Sequence, residues 1–275
     1  FQSVPQAPNA LLCSGTDVAA LSAAWQAAQR PVVLVGAGVD AQTMQAASAL
    51  STQHGVPVLF TWGAQHLIDA HNPLHQGIFG NHAPGRGNAL LRQTDLVLAL
   101  GASLLQHQVG KSMAQFAPLA KLWFVNADHA ECSRFAYGFA PRARAVHGQC
   151  GPLVQALAQA LGQTRARCWP AQEWLSVRQT PSDLPHVHEA VQALMQVLAA
   201  CPQDSTVFSD AGATLSWTYQ AANLVAAPAL HTAYNLHTMG YAVPASIGAA
   251  IADPSRTAVS ISGDGGFMMN LQELA

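Results

Sequence analysis

Four short apolar runs set the limits on what this chain can fold into. "PVVLVG" (31–36), "VPVLFT" (56–61), "DLVLALGA" (95–102) and "KLWFVNAD" (121–128) are rich in Val, Leu and aromatics and lack polar–apolar alternation. A strand that is apolar on both faces must be covered on both faces, which is the condition of a parallel sheet between two helical layers. The intervening segments supply the helices. Residues 16–29 carry Leu21, Ala24, Trp25 and Ala28 at helical spacing, with Thr16 or Asp17 available as a cap. Asp40 is placed to cap a helix that runs to about His54, where Gly55 can end it. A weaker run, "RAVH" (144–147), precedes a helix from about Pro152. Strand, helix and strand at this pitch predict a doubly wound α/β domain over residues 1–162, with right-handed crossovers.

After Gly162 the periodicity stops. Residues 163–185, "QTRARCWPAQEWLSVRQTPSDLP", read as a linker. A second alternating unit is expected over residues 186–275. It opens with a helix from about His186 to Ala200 that sets Val187, Val191, Leu194, Met195 and Leu198 on one face. Strand "STVFSD", helix, strand, helix and strand "TAVSIS" follow. The fold class is therefore α/β, with two doubly wound parallel-sheet domains.

Composition narrows the partners. Of the 275 residues only 9% are charged and the formal net charge is -2, which offers nucleic acid or an anionic membrane no electrostatic footprint. A small molecule or a protein is the expected partner. Charged residues make up ~25% of an average chain, so the low fraction here predicts a surface partly covered by another domain or subunit. No apolar stretch approaches the ~20 residues of a membrane span, and Phe1 opens no signal segment. A cytoplasmic chain is expected. The five cysteines are scattered without a C-x-x-C and read as reduced structural thiols, and the twelve histidines form no H-E-x-x-H.

Two glycine-rich strand ends are candidate sites. "VGAGVDA" satisfies G-x-G-x-x-A over Gly36 to Ala41, between a strand and a helix, where backbone can approach a pyrophosphate. The acid that would hold a ribose further on is missing from "VLFTWGAQ", so a plain strand-to-helix turn is the competing reading. In "SISGDGGFMMNLQELA", Asp264 follows a strand end, and Gly263, Gly265 and Gly266 leave backbone N–H groups open to an anion. Mg²⁺ prefers oxygen ligands shared between carboxylates and phosphates, so a metal-plus-diphosphate cradle is one reading. A glycine turn with a solvated Asp is the other. "FSDAGATLSW" sets Asp210 and Gly212 at a further strand end, and "YNLHTMGYAVPASIGAAIADP" leads through Gly240 and Pro244 into a helix of small residues.

Together these segments resemble the diphosphate-binding domain of thiamine diphosphate enzymes, the superfamily of acetohydroxyacid synthase, pyruvate decarboxylase and benzoylformate decarboxylase. "TMGYAVPASIGAA" and "GDGGFMMNLQELA" are most similar to acetolactate synthase large subunits, and "GIFGNHAPGRGNALLRQTDLVLALGAS" resembles that family's Rossmann-like central domain. The resemblance implies thiamine diphosphate and Mg²⁺ as cofactors, with Asp264 as metal ligand. Gly212, Ala213, Gly265 and Gly266 would give backbone donors to the diphosphate, beside Gly263. Met239, before Gly240, would be the apolar wedge that bends the cofactor; packing in the core is the other reading of a methionine. The implied reaction is addition of the cofactor ylid to a small 2-keto acid, followed by decarboxylation or carboligation.

The resemblance also implies a homodimer or tetramer and an N-terminal pyrimidine-binding domain that carries the activating glutamate. That domain and the second metal ligand, an Asn expected past Ala275, are absent from these residues, so no catalytic residue is assigned and the chain alone is expected to be inactive. Ala213-Thr214 stands where acetolactate synthases usually carry Gln-His, which leaves a benzoylformate or pyruvate decarboxylase-like activity open. "GASLLQHQ" (101–108) replaces a "GARFDDR"-like stretch, which bears on FAD, kept as a candidate ligand of the first domain. A nucleotide-binding (FAD or NAD) module and a non-catalytic interface subunit are the rivals from other classes.

Overall fold

The computed structural model describes residues 14–162 except 70, 82 and 84, and residues 189–274 except 223–227 and 235. The expected linker at 163–185 and Val187 lie outside the described residues. The first unit runs α1 (Gly15–Ala27), β1 (Pro31–Val35), α2 (Ala41–His54), β2 (Val58–Phe60), β3 (His75–Ile78), α3 (Gly85–Gln93), β4 (Leu96–Leu100), α4 (Gln106–Val109), β5 (Lys121–Asn126), α5 (His129–Gly138), β6 (Ala143–His147) and α6 (Cys150–Leu161). Its six strands are all parallel, in the order β3-β2-β1-β4-β5-β6.

Every residue of β1 and of β4 is buried, as unalternated apolar strands require. Alternate residues serve opposite faces. Val33, Val35, Leu98, Leu100 and Val125 pack with Leu21 and Trp25 of α1, Leu50 of α2 and Leu153 of α6. Val32, Leu34, Val97, Ala99 and Phe124 pack with Leu90 of α3 and Phe135 of α5. Each Val, Leu or Phe among them contributes about 1.5–3 kcal/mol relative to exposure. Asp40 caps α2 through Thr43 N–H at 2.7 Å, and Gly55 ends it at φ 63. At α1 the cap is Ser14, not Thr16 or Asp17: its hydroxyl accepts from Asp17 N–H and donates to the Asp17 carboxylate. β3 carries no apolar run and was not expected; as an edge strand it needs only one half-buried face.

The second unit comprises α7 (Glu189–Ala200), β7 (Thr206–Ser209), α8 (Ala213–Ala222), β8 (Ala229–His231), α9 (Ala242–Ala252), β9 (Ala258–Ile261) and α10 (Asp264–Met269). Its strands form a parallel sheet in the order β8-β7-β9. Val191 and Leu198 of α7 are buried, with Leu194 and Met195 partly so, as their spacing predicts. The two units share one apolar cluster. At the seam, Trp62 of the first stands 5.7 Å from the ring of fully buried Tyr219 of the second.

Candidate functional site

Asp210 follows β7 and is 2% exposed. Its Oδ1 accepts from the N–H groups of Ala211 at 2.8 Å and Tyr241 at 3.3 Å. Its Oδ2 accepts from Gly240 N–H at 3.0 Å and the Ser262 hydroxyl at 2.9 Å. One carboxylate thereby ties the end of β7, the loop before α9 and the end of β9. Gly212 comes next, at φ +87, a conformation glycine enters without cost, and releases the chain into α8 at Ala213. Thr214 Oγ1 lies 3.5 Å from where a Cβ on Gly263 would be, so the start of α8 sits against the β9–α10 turn.

The other predicted positions meet at the same sheet end. The Cβ position of Gly265 is 3.7 Å from Met239 Cε, and a Cβ on Gly266 would overlap the Asp210 carboxylate. Gly240 has φ +76, and a Cβ there would meet Asn270 Nδ2 at 2.5 Å. Asn270 ends α10 and donates to Gly240 C=O at 2.6 Å. Met239 is 55% exposed and does not pack into a core formed by the described residues. Asp264 is the exposed first residue of α10, and its carboxylate makes no hydrogen bond or ion pair with the described residues. It lines a cleft of ≈ 380 Å³ with Ser246, Ser262, Gly263, Val243 and Phe267. The helix begins at Asp264 itself, inside the glycine turn, and Glu273 lies in a separate 3-10 turn.

An exposed carboxylate without a partner among the described residues, beside glycines and the leading N–H groups of a helix, fits a cation and a diphosphate. Asp264 could hold the metal, and Gly212, Ala213, Gly265 and Gly266 the anion. The first candidate turn does not fit a dinucleotide in this way. Gly36 N–H donates to Leu100 C=O at 2.8 Å, and Gly38 N–H to Gly101 C=O at 2.9 Å. A Cβ on Gly36 would overlap Gly101 O and Ala102 Cα. These glycines serve the close approach of two strand ends. Asp40, held below the usual carboxylate range by hydrogen bonds from the hydroxyl and N–H of Thr43, stands at the start of α2 where a pyrophosphate would bind. The adjoining crevice of ≈ 500 Å³ has Asp40, Thr43, Asn126 and Gln149 along it and no Lys or Arg among its lining residues. The fingerprint is a structural turn, and FAD or NAD at this helix start is not supported.

A seam of rings reaches the site from the first unit. His107 of α4 stands 4.3 Å from His237 between ring centroids, and Trp62 is 6.0 Å from each. His237 has φ 47 and precedes Met239 by two residues. Burial lowers its pKa, and the neighbouring His107 lowers it further.

Comparison with known proteins identifies the class. Residues 18–157 match the thiamine pyrophosphate enzyme central domain, and residues 210–275 the C-terminal TPP-binding domain of the same enzymes. The chain belongs to the thiamine pyrophosphate enzyme family. It is 33% identical over 260 residues to the acetolactate synthase isozyme 1 large subunit of Escherichia coli, covering 90% of this chain and 44% of that protein. It is 32% identical to the isozyme 2 large subunit, with the same coverage, and 31% identical to "Probable 2-ketoarginine decarboxylase AruI" of Pseudomonas aeruginosa, again over 90% and 44%. The chain thus spans less than half the length of these relatives. Among the described residues no helix is long and apolar enough to cross a membrane.

Sequence reasoning missed what Asp210, Ser262 and Asn270 do. Asp210 was visible as an acid at a strand end, but its partners Gly240 and Ser262 lie 30 and 52 positions away.

Proposed function

We propose that this chain is the central domain and the diphosphate-anchoring part of a thiamine diphosphate- and Mg²⁺-dependent enzyme acting on 2-keto acids, of the acetolactate synthase kind. The observation that carries the reading is the meeting of Gly212, Met239–Gly240 and Gly263–Gly266 around one buried carboxylate at the carboxyl end of a parallel sheet. When bound, thiamine diphosphate supplies the carbon nucleophile and the electron sink for decarboxylation. Asp264 would hold Mg²⁺ and leave its remaining positions to phosphate oxygens and water. The N–H groups of Gly212, Ala213, Gly265 and Gly266 would hold the diphosphate. Met239 offers an exposed apolar side chain beside Gly265 and would set the angle of the cofactor rings.

The domains would be 1–162 and 186–275, joined by 163–185. The activating glutamate and the second metal ligand would come from other parts of the protein, so these 275 residues alone would not turn over. Exposed Leu236, Ile251 and Met268 support assembly into a homodimer or tetramer, and the buried thiols of Cys132 and Cys150, in no disulfide, suit the cytoplasm. A second reading is a decarboxylase of another 2-keto acid. Ala213-Thr214 and the likeness to "Probable 2-ketoarginine decarboxylase AruI" of P. aeruginosa favour it. The test loads the full-length protein with thiamine diphosphate and Mg²⁺ and offers a panel of 2-keto acids, pyruvate and 2-ketoarginine included. Acetolactate from pyruvate supports the first reading, and carbon dioxide release without carboligation the second. Absence of cofactor-dependent turnover on the whole panel refutes both.

A further inference from the structure

We propose that Asp210 is the positioning residue of the cofactor end: its buried carboxylate fixes the spacing between the Met239–Gly240 loop and the Gly263–Gly266 turn before any cofactor arrives. The inference rests on the thiamine diphosphate reading and gives a role to the carboxylate around which its segments meet. Burying a carboxylate to 2% exposure is costly unless its oxygens are hydrogen-bonded. Here all four partners are donors, two to each oxygen: Ala211 and Tyr241 N–H to Oδ1, Gly240 N–H and the Ser262 hydroxyl to Oδ2.

The surrounding backbone is fitted to this one group. Gly266 has no side chain where the carboxylate sits, and Gly240 takes a left-handed conformation while its N–H reaches Oδ2. Asn270 grips the C=O of Gly240. With both its polar groups held, Gly240 fixes the direction of Met239, whose Cε lies beside Gly265. Asparagine would match Asp210 in volume but not in chemistry. Its amide nitrogen would face two donors on one side, whichever way it is flipped.

The experiment compares wild type with Asp210→Asn in the full-length protein. Thiamine diphosphate affinity is measured calorimetrically at fixed Mg²⁺, well below the cofactor-free melting temperature, and amide exchange is followed at residues 239–241 without cofactor. The expected result is affinity weakened by ~10–100-fold, the size of losing charge-assisted hydrogen bonds, with faster exchange at Gly240 and Tyr241. Affinity within ~2-fold of wild type beside a lowered melting temperature would overturn the proposal and leave Asp210 a packing residue. If Asp210→Asn does not fold, Ser262→Ala decides. It removes one donor and is expected to weaken affinity by several-fold; unchanged affinity overturns the proposal. Wild type that binds no thiamine diphosphate would sink the functional reading instead, and the exchange measurement would still report whether Asp210 holds the two loops.

Discussion

Gly36→Ala separates a turn built for packing from a turn built for a dinucleotide. The new methyl would overlap Gly101 O and Ala102 Cα, and would lie 2.6 Å from Ala102 N where ordinary contact begins at 3.4 Å. All three atoms are backbone, so no flexible side chain can swing away; β1 and β4 must part by about 0.8 Å or more at this end. The Gly36 N–H to Leu100 bond at 2.8 Å and the Gly38 N–H to Gly101 bond at 2.9 Å cannot survive such a shift intact. Overpacking costs ~1–3 kcal/mol, and one or two lost hydrogen bonds add ~1 kcal/mol each, so the total is ~2–5 kcal/mol. At 2–4 °C per kcal/mol for a unit of this size, the melting temperature should fall by on the order of 10 °C. Thermal melts of wild type and variant, with and without FAD or NAD, make the comparison. A variant that melts within ~1 °C of wild type but has lost a dinucleotide affinity present in wild type would refute the packing argument.

Three further outcomes are expected. Asp264→Ala should abolish Mg²⁺-dependent thiamine diphosphate binding in the full-length protein while cofactor-free stability moves by less than ~0.5 kcal/mol, as for an ordinary surface change; retained affinity at matched Mg²⁺ would return Asp264 to a turn residue. Met239→Ala should lower turnover per saturated site by on the order of 100-fold, the effect of misplacing reacting atoms by ~1 Å, and leave the melting temperature nearly unchanged because the side chain is 55% exposed; normal turnover would remove it from the mechanism.

The third concerns acid. Burial holds the imidazoles of His54, His75, His231 and His237 below the ordinary histidine value, with His66 adding to the effect at His231, His107 at His237, and Asp69 opposing it at His75. The folded state then binds fewer protons than the unfolded chain below ~6.5, so this stability is present above that pH and is lost as pH falls through the lowered values. The melting temperature should drop between about pH 7.5 and 5.5, and His237→Asn should flatten the drop; equal slopes in variant and wild type would remove His237 from it.

The site was legible in its composition but not in its assembly. The glycines and the exposed acid of residues 263–266 stand out as a glycine cluster around one acid after a strand, although their backbone is ordinary extended and helical chain, and the structure sets them against Thr214, Met239 and Gly240. The Gly36–Ala41 fingerprint illustrates the opposite case. A glycine spared for a phosphate and a glycine spared for a neighbouring strand are the same letter, and only the position of Gly101 distinguishes them.

What the sequence determined by itself was whatever is set within a turn of helix or along one strand. Both-face burial wrote β1 and β4 as unbroken apolar runs, Asp40 and Gly55 bracketed α2, and Val191 and Leu198 marked the inner face of α7. What only the tertiary structure decided depends on groups distant in sequence. β3 is a strand because β2 offers it a partner, and Asp210 is a hub because four donors from three loops arrive at one buried carboxylate. A hydrogen bond takes whichever donor the fold delivers, and propensity along the chain carries no record of what will stand opposite.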